Sequence, residues 1–330
     1  MSKIMFQEGV FSDLFIQFIK YKQNLGFKYG ISAQLSLNKL NDSLNKFKLN
    51  KPNLTREIVF SLTERQEGEA RTTQSKRICY LRHFAEFLNG IGIEAYEYPK
   101  HYKPIYYDHF KPYIFTYEQI QRIIYYSDHI PHDPRSPYHH TVWPAIIRTL
   151  YSCGLRISEC LYLKKGHVDL TEGVLFIEKS KKGTSRYVPI SASLKNYLKQ
   201  YSLNTSPLLE KSDYFFPSYY SFGPYAPTTA QNRIKGLYKL AEIPLTNTNR
   251  LPRIHDLRHT FCCHALESMR EKGYDLYYSL PILSAYVGHQ GIRDTERYLH
   301  LPEFQHDQLI TAGEVILSNI KIMEENDETT

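Results

Sequence analysis

The sequence predicts a mainly α-helical protein with one small antiparallel β-sheet, arranged as two domains. Apolar residues recur at helical spacing along most of the 330 residues, a length that can support two hydrophobic cores. A stretch without periodicity, residues 93–113, separates the two periodic parts. Only residues 173–177 and 187–190 have the pattern of strands, and a basic turn joins them as a hairpin. We therefore expect an all-helical first domain and an α+β second domain.

The first domain, residues 1–92, is predicted to contain four helices, over residues 11–27, 31–47, 55–62 and 72–88. The apolar face predicted for the second helix consists of Ile31, Leu35, Leu37, Leu40 and Leu44. Polar positions of the fourth helix form a basic strip, which consists of Arg71, Lys76, Arg77, Arg82 and His83. Such a strip is either an ordinary solvated face or a surface that contacts nucleic acid.

Residues 93–113 are interpreted as a linker, because prolines interrupt helices and favour extended chain at Pro99, Pro104 and Pro112. The second domain, residues 114–300, is predicted to begin with a helix capped by Thr116. Helical segments follow over residues 143–163. After the hairpin, a long loop at residues 207–227 precedes further helices.

The net charge of +7 and the isoelectric point near 8.9 suit a nucleic-acid partner without proving one. No run of about 18 apolar residues occurs, which argues against a transmembrane helix. The first residues lack the pattern of a signal peptide, so we expect a cytoplasmic protein. The five cysteines are odd in number and form no CxxC pair, which argues against a disulfide framework and favours buried thiols.

Four segments contain residue types that act on phosphate esters: SCGLRISECLYL, EKSKKGTSRYVPI, RIHDLRHTF and YVGHQGIRDTERYLHL. Taken alone, each segment also has an ordinary structural explanation that involves no catalysis. Arg156 and Glu159 have the spacing of a helical ion pair, and a lysine-rich turn is normally solvated. His255 and Arg258 have the spacing of polar residues on one helix face, and any one of 28 tyrosines has a low chance of being a nucleophile. The specific observation is that all four segments occur in this order.

Together the segments resemble the motif boxes of the tyrosine recombinase, or phage integrase, family, which includes Xer-type resolvases and transposon integrases. GLRISE resembles the first arginine box, HDLRHTF the HxxR box, and GH with a tyrosine nine residues later the nucleophile box. KKGTSRYVP resembles the lysine box of the β-hairpin. The resemblance covers about residues 114–300, and the first domain resembles the family's core-binding domain.

The resemblance implies that Tyr298 attacks a DNA phosphodiester and becomes covalently attached to the DNA. Attack builds negative charge on the phosphate oxygens, and Arg156 and Arg258 are assigned to bind that charge, since a guanidinium binds phosphate with two donors and stays ionised. His255 is assigned as the acceptor of the tyrosine proton, and His289 as a hydrogen-bond donor to the phosphate.

Lys181 is assigned as the general acid that protonates the departing 5′ oxygen, and the adjacent Lys182 is its rival. Glu159 is expected to hold Arg156 or His255 in place. The remaining residues expected to contact DNA are basic: Arg71, Lys76, Arg77, Arg82, Lys182 and Arg186. The spacing of 34 residues between His255 and His289 is longer than in compact members of the family, and we place the extra residues around 269–279.

The expected partner is double-stranded DNA at a specific site, bound by a homotetramer on paired sites and by a monomer or dimer when free. The resemblance implies that residues 301–330, a helix and an acidic tail, dock into a neighbouring protomer; packing on their own domain is the alternative. No metal, cofactor or membrane is expected. Three alternative functions are less well supported. A type IB topoisomerase-like DNA-relaxing enzyme is opposed by the recombinase-like first domain and box spacing, and a non-catalytic DNA-binding regulator by the presence of every box residue. A general RNA-binding protein is opposed by the lack of an RNP or KH signature.

Overall fold

The computed structural model describes residues 6–100, 111–178, 185–289, 291, 293–296 and 298. These residues form two compact units, one before and one after the gap at residues 101–110. Lys181, Lys182 and the predicted helix within residues 301–330 lie outside the described part of the chain. The architecture is mainly helical with a small antiparallel sheet, as the sequence predicts.

The described residues of the first unit form four helices: α1 (Ser12–Asn24), α2 (Ile31–Asn45), α3 (Arg56–Thr63) and α4 (Arg71–Gly90). Their shared core includes Phe15 and Phe84, whose rings stack with centroids 3.9 Å apart. The prediction for one face of α2 is partly wrong, because Ile31 and Leu35 are exposed. Leu37, Leu40 and Leu44 suffice to fill the contact of α2 with the core.

Part of the predicted linker packs on the first unit. Ala95 is buried in its core, the backbone N–H of Tyr96 donates to the Leu54 carbonyl at 2.8 Å, and Tyr98 stacks edge-on against Phe60. Residues 93–98 therefore extend the first unit beyond the last helix.

The second unit contains nine described helices and a three-stranded sheet, with bounds α5 (Tyr117–Asp128), α6 (His139–Cys153), α7 (Ile157–Leu161), β1 (Val168–Asp169), β2 (Val174–Ile177), β3 (Arg186–Pro189), α8 (Ala192–Asn204), α9 (Ser206–Leu209), α10 (Pro227–Leu240), α11 (Ile254–Glu271), α12 (Leu276–Val287) and α13 (Arg293–Glu296). Thr116 caps α5 through a hydrogen bond from Gln119 N, which confirms the predicted start of this helix. The loop predicted over residues 207–227 is shorter than expected, because α9 occupies its beginning.

The sheet has the order β1-β2-β3, and both pairs are antiparallel. The predicted hairpin is confirmed, with Ile177 opposite Arg186, and β1 is an additional strand that the sequence pattern did not reveal. A large core surrounds α6, which is buried along most of its length. A smaller cluster between α11 and α12 includes Cys262, Leu283 and Tyr298.

Among the described residues, no helix is both long enough and apolar enough to cross a membrane. All five cysteines are free, and four of them are buried, as expected for thiols that serve as small apolar side chains.

Candidate active site

The first arginine box follows from the way α6 ends. Gly154 has φ +57°, a left-handed conformation that favours glycine, and a Cβ there would collide with the ring of Phe261. This sharp end allows Arg156 to start α7, and its backbone N–H donates to Oε2 of Glu159 at 2.9 Å. The sequence GLRISE thus fixes an arginine and a carboxylate beside each other at a helix start.

Glu159 binds two arginine side chains from different parts of the chain. Arg156 Nη1 donates to Oε1 at 2.7 Å, and Arg186 donates to both oxygens at 3.1 and 2.9 Å. Arg258 Nη1 lies 3.8 Å from Oε2. Burial of Glu159 acts to raise its pKa, but the hydrogen bonds and charge of Arg186, with the hydrogen bonds from Arg156, lower it from 4.5 to about 2. One carboxylate therefore lies beside three guanidinium groups and offsets part of their positive charge.

The same three arginines donate to three successive backbone carbonyls at the end of α12, residues 286–288. Arg186 Nε donates to the first at 2.8 Å, Arg258 Nη2 to the second at 2.6 Å and Arg156 Nη2 to the third at 3.2 Å. The carboxyl end of a helix carries partial negative charge, which favours cations there. The end of α12 thereby draws residues 156, 186 and 258 into one cluster.

Gly288 has φ +70°, and a Cβ on it would press against the guanidinium of Arg186. The glycine therefore lets the arginine cluster approach the backbone closely. Arg186, which the sequence assigns to DNA contact, has a side chain only 10% exposed and is engaged with Glu159 and the carbonyl of Tyr286.

Arg258 is the most buried member of the cluster, with 1% of its surface exposed. Its Nη1 donates to the Gly154 carbonyl at 2.8 Å, while its Nε is buried and has no hydrogen-bond partner among the described residues. Burial, and then repulsion from Arg156, lower the pKa of Arg258 to about 10, so it remains charged at neutral pH. The cluster thus contains a buried cation with one donor that no described residue accepts from.

His255 lies at the start of α11, one turn before His259. Burial, followed by the charges of Arg258, Arg253 and Arg156, lowers its pKa to about 4. The imidazole is therefore neutral near pH 7, and burial and the surrounding cations oppose its protonation. Its ring packs edge-on against that of His259, with centroids 4.7 Å apart.

The Tyr298 hydroxyl is buried against α11. It lies 2.9 Å from Nδ1 of His259, and the Cys262 thiol contacts the same phenol. Burial raises the pKa of Tyr298 above its ordinary value of 10, the neighbouring thiol raises it further, and the charge of Arg258 opposes the rise. The phenol is therefore protonated at neutral pH.

His289 follows α12 and lies beside Tyr298, with the two rings nearly parallel and their centroids 6.1 Å apart. Its Nδ1 is 2.8 Å from the hydroxyl oxygen of Thr295, a fully buried residue. His289 therefore contacts both α13, through Thr295, and the ring of Tyr298.

The structure thus brings together six of the seven residues predicted to be catalytic, together with Arg186 from the predicted DNA contacts: Arg156, Glu159, His255, Arg258, His289 and Tyr298. His259 and the carbonyls of residues 286–288 join them without having been predicted. The signal for His259 was its position one helical turn after His255, on the same face of α11. No group of three or more His, Cys, Asp or Glu side chains within the described residues could hold a metal ion.

The residues of the basic strip in the first unit differ in their exposure and in their ion pairs. Arg71 and Lys76 are exposed, whereas Arg77 donates to both carboxylate oxygens of Glu69, at 3.2 and 2.6 Å. Arg82 is largely buried, with its Nε 3.8 Å from Glu86. Only part of the strip is therefore available to a partner.

A sequence model of the phage integrase family matches residues 114–304, more than half of the chain. With the fold and the cluster around Arg258 and Tyr298, this match defines the class of the protein as a DNA recombinase. The chain belongs to the phage integrase family, the tyrosine recombinases.

Two relatives extend the match over most of the chain. Protein y4rB of Sinorhizobium fredii (strain NBRC 101917 / NGR234), described by its name as an integrase/recombinase, is 28% identical over 294 residues, 86% of this chain and 90% of that protein. Tyrosine recombinase XerD of Brucella suis biovar 1 (strain 1330) is 26% identical over 256 residues, 74% of this chain and 77% of that protein.

Solved structures share the fold at lower sequence identity. The XerH site-specific recombinase bound to difH substrate, in a pre-cleavage complex, has a TM-score of 0.62 and 18% identity, over 83% of this chain and 77% of that one. The Tn1549 transposon integrase in complex with transposon right end DNA has a TM-score of 0.58 and 15% identity, over 89% of this chain and 98% of that one.

Proposed function

We propose that this protein is a site-specific recombinase that cleaves double-stranded DNA with Tyr298 and rejoins it through a 3′-phosphotyrosine intermediate. One observation supports this more than any other. The Tyr298 hydroxyl lies against α11 at His259 and Cys262, one helical turn from Arg258 and its cluster of guanidinium groups. A phenol and several cations in one place are what phosphodiester cleavage by a tyrosine requires.

Binding of the phosphate falls to Arg156 and Arg258. Arg156 is the most accessible of the three clustered arginines, with 23% of its side chain exposed. A non-bridging phosphate oxygen would supply the acceptor that Arg258 Nε lacks. Glu159 and Arg186 hold the two guanidiniums in place, and the His289 ring, stacked on Tyr298, adds a donor beside the nucleophile.

In the cleavage step the Tyr298 oxygen forms a bond to phosphorus while the bond from phosphorus to the 5′ oxygen breaks. The departing oxygen takes a proton from Lys181 or Lys182, the residues of the hairpin turn that match the family's lysine box. In rejoining, a 5′ hydroxyl attacks the phosphotyrosine and releases the phenol. The ester bond keeps the energy of the broken phosphodiester, so no nucleotide cofactor is needed.

The proposed partner is a specific DNA site, held by the catalytic unit and by the exposed basic residues of the first unit. The names of the XerH and Tn1549 structures describe recombinases bound to DNA, which supports a DNA partner for this fold. Recombination of two duplexes requires four active subunits, so we infer a homotetramer on paired sites.

Tyr298→Phe tests the proposal. The change removes one hydroxyl from a buried ring, so folding and DNA binding should persist while covalent attachment disappears. The measurement is a suicide substrate with a nick near the cleavage point, followed by denaturing electrophoresis. Tyr277→Phe is the matched control, because Tyr277 is 85% exposed and outside the cluster. A covalent adduct formed by Tyr298→Phe would show that another residue is the nucleophile.

A further inference from the structure

The contact between His259 and Tyr298 joins a titratable nitrogen directly to the oxygen proposed to attack DNA. His259 Nδ1 and the Tyr298 hydroxyl are 2.9 Å apart, and both residues are 7% exposed. The distance is that of a good hydrogen bond between a phenol and an imidazole. His259 lies within α11, a helix of 18 residues, which sets the direction of its Cα–Cβ bond.

The other groups near the hydroxyl are less suited to receive its proton. Burial raises the pKa of the Cys262 thiol to about 11, so it is neutral and weakly accepting at neutral pH. Arg258 is a permanent cation. The His255 ring meets the ring of His259 edge-on and makes no hydrogen bond to the Tyr298 hydroxyl among the described contacts.

We propose that His259, rather than His255, accepts the phenolic proton when Tyr298 attacks the phosphodiester. The inference rests on the proposed role of Tyr298 as nucleophile. As the bond from the phenol oxygen to phosphorus forms, the proton moves to Nδ1 of His259 and an imidazolium results. When a 5′ hydroxyl displaces the tyrosine in rejoining, the same proton returns to the phenol oxygen. His255 then faces the arginine cluster as a neutral ring and serves to orient His259.

The geometry provides matched substitutions. The amide of asparagine can occupy roughly the position of Nδ1 and accept a hydrogen bond, but it does not take up a proton. His259→Asn therefore separates positioning of the phenol from proton transfer. Loss of general base catalysis should slow formation of the covalent adduct by about 100- to 10,000-fold, with DNA affinity unchanged. His259→Gln is the second variant, and each is compared with His255→Asn at the same DNA occupancy.

A fluorinated tyrosine placed at position 298 of the full chain makes the test specific for proton transfer. Fluorine lowers the pKa of the phenol, so less help from a base is needed. The inference predicts that fluorotyrosine restores much of the cleavage rate to His259→Asn or His259→Gln. It predicts no comparable recovery in Arg156→Ala, whose defect lies in phosphate binding.

Two results would overturn the inference. One is cleavage at the unmodified rate by the His259 variants. The other is recovery with fluorotyrosine in His255→Asn but in neither His259 variant, which would return the role to His255. Failure of the proposed function would look different, because Tyr298→Phe would then still form a covalent adduct whatever residue stands at 259.

Discussion

Arg186 donates to both carboxylate oxygens of Glu159, at 3.1 and 2.9 Å, although the two residues come from the β-hairpin and from α7. The carboxylate also receives Arg156, and its side chain is 5% exposed. This pairing ties the hairpin to the first arginine box. It also makes Glu159 the negative charge on which the arrangement of all three arginines depends.

Glu159→Gln should destabilise the protein and abolish cleavage. Removing one partner of a buried ion pair costs about 3–5 kcal/mol, because the remaining charge is left without compensation. In Glu159→Gln, the largely buried guanidiniums of Arg186 and Arg258 would lose the negative charge that compensates them. The free energy of unfolding is measured by urea denaturation. Glu172→Gln, at an exposed turn of the same unit, is the matched control and should change stability little.

The same substitution should alter the dependence of stability on pH. The pKa of Glu159 is lowered from 4.5 to about 2, so its contribution to stability is present above about pH 4.5 and is lost as pH falls toward 2. The unmodified protein should therefore lose more stability than Glu159→Gln over this interval. Equal losses in the two proteins, measured by unfolding at several pH values, would contradict the assigned role of the carboxylate.

The choice between Lys181 and Lys182 is open to a chemical test. A general acid matters most when the leaving oxygen leaves poorly, and a 5′-bridging sulfur leaves well without protonation. Such a substrate should restore cleavage by the Lys181→Ala variant. It should leave the cleavage rate of the Lys182→Ala variant unchanged. Recovery of Lys182→Ala instead would move the role by one residue. Recovery of neither would remove general acid catalysis from the hairpin.

Residues of the basic strip should differ in their effect on DNA binding. The logarithm of affinity falls with the logarithm of salt concentration with a slope of roughly −0.9 per phosphate contacted. Replacing Arg71, Arg77 and Arg82 together by Ala should flatten this slope if α4 faces DNA. Within the strip, exposed Arg71 should account for more of the change than Arg77, whose guanidinium is bound to Glu69. Arg77→Ala should mainly lower the stability of the protein. An unchanged slope in the triple variant would show that the strip is only a solvated face.

Deletion of residues 303–330 should leave a folded protein that binds a single site but fails to assemble on paired sites. The segment contains apolar residues at roughly helical spacing, and such a face must be buried somewhere. Gel mobility on one and two sites measures the effect, and deletion of the acidic residues 323–330 alone is the control. Unfolding of the shorter protein, or its normal assembly, would argue against docking into a neighbour.

Local structure could be predicted from sequence where one or two residues determine it. Thr116 caps a helix by its own side chain, and Gly154 ends one by its own backbone. Helical spacing also indicated that His255 and Arg258 share a face. Helical spacing wrongly predicted that Ile31 and Leu35 are buried, because periodicity does not show how wide the buried face of a helix is.

The contacts across elements could not be predicted in this way. The approach of Tyr298 to His259 depends on how α12 packs against α11, which spacing along the chain does not encode. The burial of Arg186 could not be predicted either, because a basic residue next to a lysine-rich turn is normally exposed to solvent. The role of the carbonyls at 286–288 has no side-chain signature at all.

The convergence of three arginines on the end of α12 has a consequence for a chain that is still folding. Residues 156, 186 and 258 are far apart in sequence, and their mutual repulsion opposes their approach unless a helix end and one carboxylate are in place to hold them. A newly synthesised or partly unfolded molecule therefore lacks the assembled cluster that is proposed to bind a phosphodiester. The cluster proposed to bind the phosphate would in this way form only when the fold is complete.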